Sequence, residues 1–226
     1  MTEKEAITAR HSVRHYKDLP IEEAKCLELK KLIDEFNSKS GLNIQLVLDD
    51  PECFKTFLAH YGWITGAKNY IALIGKKSIN KLDESCGYYG QKLVLAAQML
   101  GLNTCWIAGT YKKGKCNVDF SKDEKIVCII SIGYGENQGV EHKSKPLEKL
   151  CNISQDKLSS TPQWFQDGLD AALKAPTAVN QQKFFIKLEG EDVTITAGNK
   201  AMAKIDLGIV EYNFELASGK KIFQQE

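Results

Sequence analysis

The sequence has no long hydrophobic run, no excess of charge of either sign and no closely paired cysteines. Its apolar segments all fall well short of the roughly 20 residues that a membrane-spanning helix needs. Its 30 basic and 29 acidic residues nearly cancel, which excludes a broad charged surface for nucleic acid or an anionic membrane. We therefore expect no nucleic-acid and no membrane partner, and we expect any bound anion to be met by a few local cations.

The seven cysteines carry no metal or disulfide signal. They are odd in number, widely spaced and free of any C-x-x-C pair, which is typical of reduced thiols rather than of a zinc site or a redox dithiol. The first residues, MTEKEAITARHS, show no apolar run of the signal-peptide kind. We expect a cytoplasmic protein without a bound metal. Because no Ser-His-acid or Cys-His set can be assembled from spacing, we also predict no catalytic side chain.

What is present is an ordinary globular composition, 43% hydrophobic and 26% charged over 226 residues. That length suits one large domain, or two small lobes sharing one core. Apolar periodicity predicts both helices and strands. The predicted helices cover residues 3–10, 21–36, 87–100, 162–174 and 205–217. The predicted strands cover residues 43–48, 70–75, 104–107, 126–132 and 184–188, the last entering a hairpin.

The two halves of the chain echo each other across a polar, linker-like stretch at 137–160. Gly87 is followed six residues later by Leu93, and Gly208 is followed six residues later by Phe214. A glycine with this spacing lets one helix approach another backbone closely. The alternative is two amphipathic helices that agree by chance.

The segment Arg10-His-Ser-Val-Arg14 places two guanidinium groups on either side of a hydroxyl. A phosphate monoester needs such a set, because arginine supplies paired charge-assisted donors and serine adds a neutral one. The alternative for these residues is a solvated basic turn.

A second segment, residues 175–182, lies between a predicted helix and a predicted strand. It reads APTAVNQQ and is rich in small residues and amides, which suits contact with a flat heteroaromatic edge. The alternative is a plain loop in which Pro176 stops the helix. A third segment, Gly133 to Gly139, suggests a dinucleotide fingerprint, but its third glycine falls one place late and no amphipathic helix follows. We reject a Rossmann site there.

Taken together, these segments resemble the FMN-dependent nitroreductase family, and within it a branch of about 220-residue chains. The matching stretches are RHSVRHY (10–16), GYYGQKLVLAAQMLGLNTCWIAG (87–109), ISIGYGE (130–136), KPLEKL (145–150) and APTAVNQQKF (175–184). The resemblance spans the chain. It implies an α+β fold, with a central, mostly antiparallel sheet flanked by helices, and FMN as the cofactor.

The resemblance implies a phosphate side and a ring side for the flavin. On the phosphate side it assigns Arg10, Ser12 and Arg14, with His11 as their neighbour, and the basic residue Lys145 ahead of the Pro-Leu-Glu segment. On the ring side it assigns backbone after the Trp-containing strand and the loop that follows Ala175. Those positions are Ala108, Gly109, Pro176, Thr177, Ala178 and Asn180.

One departure from the family pattern is informative. The Pro-Ser loop usually comes early in the chain and reaches the flavin of the opposite subunit, whereas here the matching loop appears only at 176. We therefore expect an internally pseudo-duplicated chain. Residues 1–150 would carry the phosphate site and residues 151–226 would act as a shortened partner lobe. This implies one FMN per chain, and a monomeric pseudo-dimer or a weak homodimer. A smaller departure is Lys92, which stands where asparagine is common.

The implied activity is that of an NAD(P)H-dependent oxidoreductase. NADH or NADPH would reduce the flavin, and an electron-poor acceptor such as a nitroaromatic or a quinone would reoxidise it. The cofactor carries this chemistry, which accounts for the absence of an evident catalytic side chain. One alternative is an FMN-binding or degenerate scaffold without turnover. Another is a nicotinamide-dependent Rossmann enzyme without flavin, against which the displaced glycine argues.

Overall fold

The computed structural model describes residues 1–55 and 64–223, and within them helices and strands alternate irregularly. The helices are α1 (Glu3–Ala9), α2 (Glu23–Ser40), α3 (Leu82–Met99), α4 (Gln163–Leu173) and α5 (Ala203–Ser218). The strands are β1 (Gln45–Val47), β2 (Asn69–Lys76), β3 (Asn103–Ile107), β4 (Glu124–Gly133), β5 (Phe184–Glu189) and β6 (Asp192–Ala197). Every helix and strand predicted from the sequence is present, so the α+β class is confirmed.

The main sheet has four strands in the order β1-β2-β4-β3, and every pairing in it is antiparallel. Strand β4 is central and nearly all apolar, because it is covered on both faces. Strands β5 and β6 form a separate two-stranded hairpin. The predicted antiparallel sheet is confirmed, and its pairing differs from the parallel sheet of a Rossmann domain.

Each face of the main sheet has its own apolar cluster. Ile71, Leu73 and Ile130 face the cluster that contains α3 and α5, whereas Tyr70 and Ala72 face a second cluster on the opposite side. Alternate residues of a strand point to opposite faces, so the near-continuous apolar run of β2 is divided between the two clusters. The helices of the larger cluster therefore lie on one side of the sheet.

Helices α3 and α5 cross at two glycines. A Cβ atom on Gly87 would overlap the Ile205 carbonyl group and lie 3.2 Å from the Gly208 Cα, and one on Gly208 would lie 2.6 Å from the Tyr88 nitrogen. The predicted close approach at this pair of glycines is confirmed. That the halves are duplicates of each other remains a prediction.

The helix boundaries differ from the sequence prediction mainly at α3. It begins at Leu82, five residues before Gly87, and its first turn carries Asp83 and Glu84, where acidic side chains suit the positive end of the helix dipole. Helix α2 runs on to Ser40 and ends at Gly41, whose φ of 70° is left-handed. Gly87 is an interior residue of α3, where its lack of a side chain makes room for α5.

Lys92 lies in an aromatic cluster between α2, α3 and α5. Its ammonium nitrogen is 4.7 Å from the ring centre of Phe36 and 5.4 Å from that of Tyr212, with Tyr88 and Tyr89 slightly farther away. Burial lowers the pKa of Lys92. The aromatic faces attract the cation that burial destabilises, so this departure from the family pattern has a packing role.

The stretch from Tyr134 to Pro162 contains only short 3-10 turns, as its polar composition predicts. None of the helices in the described residues combines the length and hydrophobicity needed to cross a membrane.

Candidate functional site

The segment 10–14 leaves α1 and runs beside strand β3. Arg10 ends the helix with extended backbone, and the Val13 N–H then donates to the Thr104 carbonyl at 3.0 Å. Ser12 pairs with Thr104 as an isolated parallel bridge. The edge of the sheet therefore fixes the backbone that carries the predicted phosphate-binding side chains.

The side chains of this segment converge on the Cys105 thiol, in strand β3. Burial raises the pKa of Cys105, and this rise is opposed by the Arg14 and Arg10 guanidinium groups and by a hydrogen bond with Ser12. The three residues predicted to hold a phosphate thus surround one point on β3. The thiol itself is buried. We call Arg10, Ser12, Arg14 and Cys105 the arginine cluster.

Arg10 is a buried cation without an acidic partner. Arg10 is only 5% exposed, and its Nε has no hydrogen-bond partner. Burial lowers the pKa of Arg10 to about 10. Over residues 1–55 and 64–223, no carboxylate lies within ion-pair distance of it. A buried charge is costly unless it is paired, which makes Arg10 a candidate for binding an anion.

Two histidines lie near Arg10. Burial and the Arg10 charge lower the pKa of His11. Burial also lowers the pKa of His142, against the opposing effect of its hydrogen bond with the Leu173 carbonyl at 3.1 Å, and Arg10 lowers it further. Neutral imidazoles are thus favoured beside the guanidinium group, so neither histidine adds a second unpaired cation. Gly139 packs against His11, and this contact places the segment that carries His142 at the site.

Lys145 lies against the loop of residues 175–182, which we call the amide loop. The Lys145 ammonium group donates to the carbonyl oxygens of Gln181 and Gln182. The backbone N–H of Lys145 donates to the Gln182 side-chain oxygen at 2.9 Å. The Asn180 side chain donates to the Lys143 carbonyl at 3.0 Å. The structure therefore joins the predicted residue Lys145 to the predicted loop, within one chain.

Asp206, in the first turn of α5, holds the other side of the amide loop. Its two oxygens accept from the Ala178 N–H at 2.9 Å and from the Gln181 side chain at 2.8 Å. Within the loop, the Gln182 N–H donates to the Thr177 hydroxyl at 3.0 Å. Helix α5 thus holds Ala178 directly, and Pro176 follows the buried Ala175, two residues after α4 ends.

Three residues of the amide loop other than glycine have left-handed backbone: Val179 at φ 47°, Asn180 at 54° and Gln182 at 41°. Val179 is also 97% exposed. A β-branched residue is strained there, and such strain persists only where the surroundings impose it. The ties to Lys143, Lys145 and Asp206 impose it here.

Replacing Val179 with glycine should therefore raise the thermal midpoint of the protein. Glycine adopts positive φ at no steric cost, so we expect a gain of about 1 kcal/mol after its larger entropy loss. Val140 is the matched control, since it is 84% exposed and is not among the positive-φ residues. Val140→Gly should give no gain. Equal midpoints for the two variants would contradict the strain.

Ala108 and Gly109 directly follow β3, as predicted, and Gly109 is exposed with open space where a Cβ would stand. On the same strand, Trp106 packs over Gly90, and its indole N–H is buried without a partner. The segment after β3 is thus open to a flat ligand, and it begins three residues from Cys105.

No group of three or more Cys, His, Asp or Glu in the part of the chain that the structure describes is arranged to hold a metal ion. His60, one of the four histidines, lies outside that part.

Several residues of the site were not found from the sequence. His142 and Asp206 stand in no recognisable motif, and only the fold brings them to the site. Cys105, Gln181 and Gln182 do stand in the matching stretches 87–109 and 175–184, which was a usable signal. The flavin assignments themselves remain predictions.

A sequence model of one protein family, described as "Putative TM nitroreductase", matches residues 3–218. This match covers nearly the whole chain, including the arginine cluster and the amide loop. No curated protein sequence matches the chain.

Solved structures share the fold. A "putative nitroreductase" from Thermotoga maritima MSB8 is 22% identical over 100% of this chain and 90% of its own, with a TM-score of 0.69. Two structures described as "Putative NADH dehydrogenase/NAD(P)H nitroreductase" each cover 66% of this chain at a TM-score of 0.51. The one from Bacteroides thetaiotaomicron is 20% identical over 95% of its length, and the one from Parabacteroides distasonis is 22% identical over 97%.

Proposed function

The chain belongs to this nitroreductase family, and we propose that it is an FMN-dependent oxidoreductase that uses NADH or NADPH to reduce a small electron-poor aromatic acceptor. The observation that carries the proposal is the buried, unpaired guanidinium group of Arg10. The phosphate of FMN would supply the negatively charged partner that this guanidinium group lacks. Paired arginine donors with an adjacent hydroxyl match its oxygen atoms.

We propose that Arg10, Ser12 and Arg14 bind the phosphate, with His11 beside them. Lys145 then acts from the amide loop, where it is tied to the carbonyl groups of Gln181 and Gln182. Its positive charge adds to the field that favours an anion. Because Arg10 is already buried and held by the backbone at β3, little side-chain ordering is left for the binding step.

The ring side of the proposed site is formed by Ala108 and Gly109 together with the amide loop. FMN, when bound, supplies the transfer of two electrons from the nicotinamide to the acceptor. The chain orients that chemistry through Pro176, Thr177, Ala178 and Asn180. Asp206 holds Ala178, the Lys143 carbonyl holds Asn180, and Thr177 accepts from the Gln182 N–H, so the loop has the support that a binding site needs.

We also propose that the chain is a single-chain pseudo-dimer, with residues 1–150 as the phosphate lobe and 151–226 as the partner lobe. The hydrogen bonds between Lys145 and the amide loop lie within one chain, and so does the crossing of α3 with α5. Both support the proposal. Its expected stoichiometry is one FMN per chain, and an obligate dimer with two symmetric flavin sites would overturn it.

The test is an absorbance spectrum of the purified protein, followed by addition of NADH or NADPH and then of a quinone. We expect a yellow protein whose released chromophore is FMN. The colour should bleach with the nicotinamide and return with the quinone. Bound FMN that never bleaches would leave a flavin-binding scaffold, and a protein that takes up no FMN would reject the proposal.

A further inference from the structure

Two cysteines lie together on the sheet face opposite α3. Cys53 sits in a 3-10 turn, Glu52–Phe54, and Cys116 follows a second such turn, Lys113–Lys115. The Lys112 N–H donates to the Cys53 carbonyl at 2.8 Å, which joins the two turns. The cysteines are 63 positions apart, so the sequence argument from missing C-x-x-C pairs could not detect them.

The side chains of Cys53 and Cys116 lie close enough for each to shift the pKa of the other. Cys53 is fully buried, whereas Cys116 is partly exposed. The side-chain interaction with Cys53 lowers the pKa of Cys116, as do Tyr70 and the Lys113 charge, whereas burial and the Asp50 charge oppose this shift. The same interaction, with burial, raises the pKa of Cys53. Of the two thiols, the accessible Cys116 is therefore the easier to deprotonate.

Tyr70 completes the surroundings of this pair. Its hydroxyl group lies within hydrogen-bond reach of the Cys116 sulfur, accepts from the Asn117 N–H at 2.8 Å and donates toward Asp50 at 3.0 Å. The Cys116 thiol also donates to the Lys112 carbonyl oxygen at 3.9 Å. Cys116 is thus held in one place beside Cys53 by groups from three separate segments.

Cys116 differs from all six other cysteines. The other six are buried, and the pKa of each is raised. Burial is the largest cause of that rise for all of them except Cys53. Reactive cysteines are accessible and electropositive in their surroundings, whereas buried ones are inert. An accessible, activated thiol next to a buried thiol is the arrangement of an attacking and a resolving cysteine.

We propose that Cys116 and Cys53 form a peroxide-reactive dithiol site that reduces hydrogen peroxide and closes to a disulfide. The Cys116 thiolate attacks one peroxide oxygen, the O–O bond breaks, and the departing hydroxide takes up a proton as water. Cys116 is then a sulfenic acid. The Cys53 sulfur attacks it, the S–O bond breaks, and the hydroxyl group leaves with the Cys53 proton as a second water. Two thiols lose two electrons, and one peroxide gains them.

The disulfide would bind the turn at 52–54 covalently to the segment after β3. That segment starts at Ala108, and Tyr111 within it lies close enough to both cysteines for their charges to raise its pKa further, after burial. Closing the disulfide would therefore add a covalent restraint to residues 108–116. The inference does not depend on flavin binding, because no residue of the arginine cluster or the amide loop takes part in it.

The experiment treats the full chain with one equivalent of hydrogen peroxide, alkylates the remaining thiols and maps tryptic peptides by mass spectrometry. We expect one disulfide, between Cys53 and Cys116, and five alkylated cysteines. In Cys53→Ser, Cys116 should instead accumulate as sulfenic acid that dimedone traps. Cys116→Ser should consume peroxide at least roughly tenfold more slowly than the unaltered protein. Cys26→Ser is the matched control and should behave as the unaltered protein does.

A measurement on the unaltered protein avoids any dependence on the folding of variants. Brief alkylation with iodoacetamide under native conditions should label Cys116 roughly tenfold faster than any other cysteine. A disulfide between any other pair, or an equal labelling rate for Cys116 and the buried cysteines, would overturn the proposal.

Discussion

Replacing Arg10 with methionine should make the flavin-free protein more stable and its affinity for FMN weaker. Burial lowers the pKa of Arg10 to about 10, and a shift of this size opposes the charged form by about 3 kcal/mol. At neutral pH the Arg10 side chain is charged in both the folded and the unfolded protein, so the whole penalty opposes folding. It is relieved only as pH rises above 10. Methionine fills similar space without charge, and we expect a gain of about 1–3 kcal/mol in the free energy of unfolding.

The same replacement should weaken FMN binding by about 3 kcal/mol, or about a hundredfold, because a buried charged partner of the phosphate is lost. Urea unfolding of the flavin-free protein and a fluorescence titration with FMN measure the two effects. Arg14→Met is the matched control: its side chain also faces Cys105 but belongs to an exposed residue, so it should weaken binding without stabilising the free protein. A destabilised Arg10 variant with unchanged FMN affinity would contradict an anion site.

Replacing Gly208 with alanine should produce a large loss of stability. The new methyl group would overlap the Glu84 carbonyl and lie 2.6 Å from the Tyr88 nitrogen. Both are helix backbone and cannot rotate away. The two helices must separate, and we expect a loss of about 3 kcal/mol or more in the free energy of unfolding.

Gly114→Ala is the matched control, because a methyl group there meets nothing within 4 Å. Its midpoint in urea should stay close to that of the unaltered protein. Gly87→Ala should resemble Gly208→Ala, and the double variant should cost less than the sum, since either methyl group already forces the same helices apart. Equal midpoints for Gly114→Ala and Gly208→Ala would show that the helix crossing tolerates extra volume.

A second readout follows from the position of Asp206, two residues before Gly208. Asp206 holds the amide loop through Ala178 and Gln181. Displacement of α5 should therefore weaken FMN binding as well as folding, whereas the Gly114 control should change neither.

The type of each helix and strand could be predicted because apolar periodicity survives in single segments, as in the alternation of residues 43–48. Boundaries were harder where tertiary contacts decide them. Apolar periodicity predicts α3 from Gly87, whereas the helix begins at Leu82 and Gly87 serves the contact with α5. The order of strands in the sheet is set by pairings far apart in sequence, which periodicity does not encode.

The candidate site was predictable in its motifs and not in its surroundings. The spacing of Arg10, Ser12 and Arg14 indicated an anion site, but the burial of Arg10 depends on packing that no local pattern describes. Likewise, the residues 175–182 indicated a binding loop, while its support by Asp206 comes from a helix elsewhere in the chain. The contact of Cys53 with Cys116 is of the same kind.

The crossing of α3 and α5 also sets the order of events during synthesis of the chain. Gly87 and Gly208 are 121 positions apart, so at about 5–20 residues per second α3 leaves the ribosome many seconds before its partner. Most of α3 is buried in the finished protein, and its apolar surface stays uncovered during that interval. Helix α5 can therefore cover α3 only after synthesis has passed residue 218, so the order of synthesis delays closure of the core.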